Sequence, residues 1–135
     1  MEKIWNEMYE AAKAVLNERR ISEYVTCGEV SAAVCSKSGK IYTGVCIDTC
    51  STLGICAERN AISTAVAMGE KSKLVKIAIY SPNTTKCVPC GACRQWLQEF
   101  EQGQNVQVVL EDENDKLIIY GLSELLPHSF SSNLL

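Results

Sequence analysis

Basic charge, histidine and long apolar runs are all scarce in this chain, and each scarcity excludes something. With 13 Lys and Arg against 16 Asp and Glu the formal charge is −3, so no basic stripe is available to neutralise a run of phosphates. A nucleic-acid partner is not expected. No apolar stretch approaches the roughly 20 residues of a membrane span, and the first 20 residues alternate charged with apolar side chains, unlike a signal peptide. The expectation is a soluble, unexported, cytoplasmic protein with no membrane partner. The only histidine, His128, lies near the C-terminus and reads as a surface or subunit-contact residue. Metal or proton chemistry in the middle of the chain must therefore rest on cysteines and carboxylates. No linker, repeat or low-complexity tract divides the 135 residues, 47% of them apolar, and one domain spanning 1–135 is expected.

Cysteine, in contrast, is plentiful. Eight cysteines in a small chain suit a disulfide framework only in an oxidising compartment, and without an export signal reduced thiols are expected. Three of them, with one glutamate, form a pattern: Cys56-Ala57-Glu58, then Pro89-Cys90-Gly91-Ala92-Cys93. Cys87, Cys90 and Cys93 also make two overlapping C-x-x-C units, which leaves a thioredoxin-like redox pair open, although that reading gives Glu58 no purpose.

The periodicity is that of an α/β chain. Ile4, Met8, Ala12 and Val15 make the apolar face of a helix over 2–19. Strands are expected over Val30–Cys35 and Lys40–Ile47, joined by the turn Ser36-Lys37-Ser38-Gly39. A second helix is expected over Cys56–Gly69, a buried strand over Leu74–Tyr80 and a third helix over Gly91–Glu101. The last strands, Val106–Leu110 and Leu117–Tyr120, are separated by only six polar residues, too few for a parallel crossover, so they must be antiparallel. A short helix over Leu122–Leu126, stopped by Pro127, follows. The sum is a five-stranded mixed sheet between helices.

Both cysteine groups fall at helix starts, where the partial positive charge lowers a thiol's pKa and favours the thiolate that a metal requires. Three thiolates suit Zn²⁺, one per chain, and leave a fourth tetrahedral position open, the mark of a catalytic rather than a structural site. Recruiting Cys87 or Cys50 would instead close a structural four-cysteine site. Glu58 in a first helical turn can be ordinary dipole complementation, yet two residues beyond a ligand cysteine its carboxylate is placed to move protons at a metal-activated water. Arg59 and Arg94, each within a turn of a ligand, are candidates to hydrogen-bond a sulfur and offset the negative charge. Cys27, Cys35, Cys46, Cys50 and Cys87 read as packing residues.

The stretches Gly54-Ile55-Cys56-Ala57-Glu58-Arg59-Asn60-Ala61 and Pro89-Cys90-Gly91-Ala92-Cys93-Arg94-Gln95 resemble the cytidine deaminase family, and the likeness extends over Val30–Ala33, Gly39–Gly44 and Glu124–Phe130. The resemblance implies a three-layer α/β/α cytidine-deaminase-like fold and a homotetramer with shared active sites. It implies a hydrolytic reaction in which a cytosine ring of a free nucleoside loses ammonia to become uracil, Glu58 carrying the protons. Cys46, Asp48, Ala57 and Phe130 fall at its substrate-binding positions, Phe130 matching the aromatic set over the base. Plain core packing is the alternative for Phe130.

Departures from the family pattern lie on the sugar side. Gly28-Glu29-Val30-Ser31-Ala32-Ala33 lacks the usual phenylalanine, and Cys46-Ile47-Asp48 stands where the family has Asn-x-Glu. A thiol is a weak partner in place of an amide. These losses also resemble blasticidin S deaminases, which act on a cytosine carried by a bulky cationic group, so another modified cytosine nucleoside is an alternative substrate. A reading of a different class is an inactive zinc-binding assembly subunit.

Overall fold

The computed structural model describes residues 2–84, 86–101 and 105–130. Its centre is a mixed sheet with helices on both faces. The strands are β1 (Arg19–Ser22), β2 (Val25–Ser36), β3 (Ile41–Thr49), β4 (Leu74–Tyr80), β5 (Gln107–Glu111) and β6 (Leu117–Gly121). The helices are α1 (Lys3–Val15), α2 (Ala57–Ala67), α3 (Gly91–Glu101) and α4 (Leu122–Leu125). β2 pairs antiparallel with β3 along one edge and, along the other, with β1 over its first residues and β4 over its last. β4 and β5 are parallel, joined through α3, while β5 and β6 are antiparallel as their short connection demands.

Alternation along the central strands makes the three layers. Ala32, Val34, Ile77, Ile79, Val108 and Leu110 pack with Ala57, Ala61, Ile62 and Ala65 of α2 and Leu97 of α3. Ala33, Cys35, Ala78 and Val109, from the same strands, point to the opposite face and meet Trp5, Met8 and Ala12 of α1. A buried hydrogen bond from Ser31 Oγ to the Ala12 carbonyl, 2.6 Å, fastens α1 to β2.

All five expected strands are present, and the sheet holds a sixth that the periodicity missed. The first helix ends at Val15 rather than 19, because Leu16 is already extended and the chain turns to add β1 along β2. β2 also begins five residues early, at Val25, and carries a bulge: between the pairs Cys27↔Ile47 and Ser31↔Val45, three residues of β2 oppose the single Cys46. Gly28 opens this bulge with φ +83°, and a Cβ there would lie 2.0 Å from the Asn17 carbonyl oxygen. Only glycine fits both the conformation and the approach. α2 starts one residue later than expected, with Cys56 at its N-cap. No helix among the described residues is long and apolar enough to cross a membrane.

Candidate active site

The site is assembled by fastening two helix starts to the sheet. The segment before α2 is tied to β3 by two backbone bonds between Ile47 and Ile55, both 2.9 Å. Gly54 permits this, since a Cβ there would fall 2.0 Å from the Ile47 carbonyl oxygen. Asn60 Nδ2 then donates to the Val45 carbonyl at 2.8 Å, holding the first turn of α2 on the same strand. Cys90 immediately precedes α3, and its carbonyl accepts the Arg94 N–H at 2.9 Å, the first helical bond.

These constraints bring Cys56, Cys90 and Cys93 together, all three Sγ atoms lying within 4.8 Å of one another. Cys56 Sγ is 3.8 Å from Cys90 Sγ, which is 3.5 Å from Cys93 Sγ. Tetrahedral zinc with Zn–S bonds of about 2.3 Å has sulfurs about 3.8 Å apart, so the three thiols fit zinc in spacing and in donor chemistry. All eight cysteines are free.

Electrostatics couple the cluster to Glu58, which lies in the first turn of α2 and is only 5% exposed. Burial raises the Glu58 carboxyl's pKa, against the opposing pull of a hydrogen bond with Cys93, its own backbone N–H and the Arg59 charge. Burial also pushes the Cys93 thiol up, reinforced by the Glu58 charge and by Cys90 and Cys56. For Cys90 burial acts upward too, but the N–H groups of Cys93 and Ala92 and the adjacent thiols outweigh it, and the pKa falls. A metal needs all three as thiolates, so its uptake must release protons.

Arg59 Nη2 donates to Cys56 Sγ at 3.7 Å, and its guanidinium lies 5.8 Å from the Trp96 ring centre. That bond to Cys56 raises the Arg59 pKa. Arg94 is used differently from the expectation. Its Nε and Nη1 donate to the carbonyls of Pro89 and Leu125, both at 2.7 Å, so it grips backbone rather than a sulfur.

A cleft of about 430 Å³ opens over the cluster, with Cys46, Asp48, Ala57, Glu58, Cys56 and Cys90 among its lining residues. Cys46 Sγ accepts the Val30 N–H at 3.3 Å, satisfying a donor that the β2 bulge takes out of the ladder. Asp48 is exposed, as is Cys50, whereas Cys46 and Cys87 are half-buried. Packing therefore accounts for the buried Cys27 and Cys35 and for Cys46 and Cys87, which pack against the core while also lining the cleft, but not for Cys50, an exposed turn residue. Sequence reasoning also missed Thr49, Thr52 and Val88, which line the cleft and carry no motif; only their proximity to Asp48 and Pro89 in the chain hinted at it. Phe130 is 70% exposed and does not line the cleft, which rules out core packing within one chain.

Comparison with known proteins agrees with this geometry. The family described as cytidine and deoxycytidylate deaminase zinc-binding region matches residues 5–122. A probable cytidine deaminase of Dictyostelium discoideum is 32% identical over 90% of this chain and 84% of its own. A blasticidin-S deaminase of Bacillus cereus is 30% identical over 77% of this chain and 78% of its own. The crystal structure of cytidine deaminase from Burkholderia pseudomallei superposes with a TM-score of 0.77 and 30% identity, covering 96% of this chain and all of that one. Sheet order, the three-sulfur cluster and these matches converge: the chain belongs to the zinc-dependent cytidine and deoxycytidylate deaminase family.

Proposed function

We propose that Cys56, Cys90 and Cys93 hold one zinc ion and that Glu58 moves the protons in hydrolytic deamination of a cytosine nucleoside. One observation carries the assignment: a nearly buried carboxylate in the first turn of the helix that Cys56 caps, lining the same cleft as Cys56 and Cys90, a cleft large enough for a small ligand. When bound, zinc supplies a Lewis acid that brings the pKa of a water near neutrality. Glu58 would take one proton from the attacking water and pass it to the ring nitrogen, then take the second from the hydroxyl added at the ring carbon and pass it to the departing amine, so that a ring carbonyl and ammonia result. Its raised pKa suits a group that must both take and give a proton. Arg59 counters the charge of three thiolates through Cys56, and Ala57 with Val30 bounds the space for the ring. The expected substrate is a free nucleoside, taken up in cytoplasmic pyrimidine salvage.

Assembly as a homotetramer is part of this reading. An exposed Phe130 suits an aromatic offered to a neighbour's cleft, and light scattering of the purified protein measures the subunit number.

A second substrate reading rests on the outer wall. Cys46 is committed to the Val30 N–H, and among the described residues the Asp48 side chain has no hydrogen-bond or ion-pair partner. A lone carboxylate beside thiols and valines favours a cationic substituent, in keeping with the resemblance to blasticidin S deaminases. Ultraviolet and ammonia assays on cytidine, deoxycytidine, cytosine and blasticidin S decide the matter. Turnover of none of them by zinc-loaded protein would leave the inactive assembly subunit.

A further inference from the structure

We infer that Arg94 is a positioning residue that makes the C-terminal segment 121–130 part of the metal centre. The inference rests on the ligand assignment above and concerns how Cys90 is kept in place. Cys90 is the exposed member of the trio, standing at the end of a loop rather than inside a helix. The carbonyl immediately before it, that of Pro89, accepts Arg94 Nε at 2.7 Å, while Nη1 of the same guanidinium reaches the Leu125 carbonyl at 2.7 Å. One rigid, permanently charged fork thus joins the peptide that orients Cys90 to the last residue of α4. A helix-end carbonyl such as that of Leu125 is a natural acceptor, because it has no onward partner within the helix.

The far end of this brace is fixed. Leu122 is fully buried, and its N–H bonds the Val106 carbonyl at 2.8 Å. Glu124 Oε1 accepts the Gly121 N–H at 3.0 Å, and the Ser123 N–H bonds Asn105 Oδ1 at 2.9 Å. The neighbouring Gln95 adds a second tie, from Nε2 to the Phe130 carbonyl at 3.0 Å. Two consecutive residues of α3 therefore bolt the helix that carries Cys93 to the C-terminal segment. Lysine cannot replace this arginine, since an ammonium is a single point and lacks the planar fork that spans both carbonyls.

The test uses the full chain loaded with Zn²⁺ or with Co²⁺, whose thiolate charge-transfer and d–d absorption report coordination geometry. Arg94→Lys should lose roughly 10- to 100-fold in zinc affinity, measured against a chelating dye, as is typical when a group supporting a metal ligand is removed. Its Co²⁺ spectrum should shift. Glu124→Ala loosens α4 without touching α3, and should move both readouts in the same direction by less. If both variants melt earlier but keep the parental zinc affinity and Co²⁺ spectrum, Arg94 only stabilises the fold and the inference is overturned. Should Arg94→Lys not fold, Glu124→Ala decides alone by the same readouts. A parental protein that takes up no Co²⁺ would overturn the ligand assignment itself.

Discussion

The two walls of the cleft are built in opposite ways. On the inner wall Glu58 lines the cleft and Cys93 lies in the cluster below it, both buried in helices α2 and α3, whose apolar faces belong to the same core as the central strands. On the outer wall, Asp48 and Thr52 sit at a strand end and in a turn, exposed to solvent. There Thr49 Oγ1 is taken by the Leu53 N–H at 3.0 Å and Thr52 Oγ1 by the Ser51 carbonyl at 2.6 Å. Chemistry that tolerates little displacement is mounted on packed helices, and recognition is left to a surface that can change without disturbing the core. Substitutions on the two walls should therefore fail differently.

The largest expected effect is Cys93→Ser. The side chain is fully buried, and serine is a poor ligand for a thiophilic zinc site, so metal analysis should find bound zinc lost and turnover at background. Melting temperature should fall too, since a metal bound only by the folded chain stabilises it by mass action. A Cys93→Ser protein holding stoichiometric zinc would remove Cys93 from the inner wall.

Glu58→Gln comes next. It keeps shape and burial but cannot exchange a proton, so kcat should drop roughly 10²- to 10⁴-fold while zinc content stays at the parental level. Near-normal kcat would show that another group moves the protons.

How much of this was legible in the sequence follows the same division. Spacing fixed by helical geometry was readable: Cys56, Glu58, Cys90 and Cys93 declared the inner wall, and alternation along β2, β4 and β5 declared the layers. Tertiary choices were not. Residues 16–19 looked helical, yet the free edge of β2 recruits them as part of β1 and the approach to it. The bulge opposite Cys46 is a two-strand feature, so neither strand reveals it alone. Arg94 lies one turn from Cys90 and was expected on a sulfur, whereas its acceptors belong to Pro89 and to the distant Leu125. That second partner has no local signature.

A smaller effect is expected at the outer wall. Asp48→Asn should raise KM for a substrate with a donor-rich or cationic sugar-side group by about tenfold, equivalent to roughly 1.4 kcal/mol of lost binding, with kcat changed less than about threefold and zinc untouched. A collapse of kcat with unchanged KM would mean that the two walls are not separable.

The smallest effect should appear at a position belonging to neither wall, and it calibrates the others. Glu70, beyond the C-terminal end of α2, accepts hydrogen bonds from Tyr42 and Ser38 and from the N–H and hydroxyl of Ser72. The Ser36 hydroxyl, itself 2.7 Å from that of Ser38, acts first on this carboxyl, ahead of Ser72 and Tyr42, and together they lower it from 4.5 to about 2. A pKa depressed by folding contributes stability that is present above the unfolded value and lost as pH falls through the folded one. The window therefore runs from about 4.5 down to about 2. Glu70→Gln should lower the melting temperature by a few degrees near pH 6, and the gap from the parent should close as pH falls toward 2. Chelator-treated protein is the sample of choice, since acid release of the metal would otherwise add its own slope. Kinetics of the zinc-loaded variant at neutral pH should match the parent. If they do not, distant loosening of α2 reaches Cys56 and Glu58, and losses seen at the inner wall can no longer be read as chemistry alone.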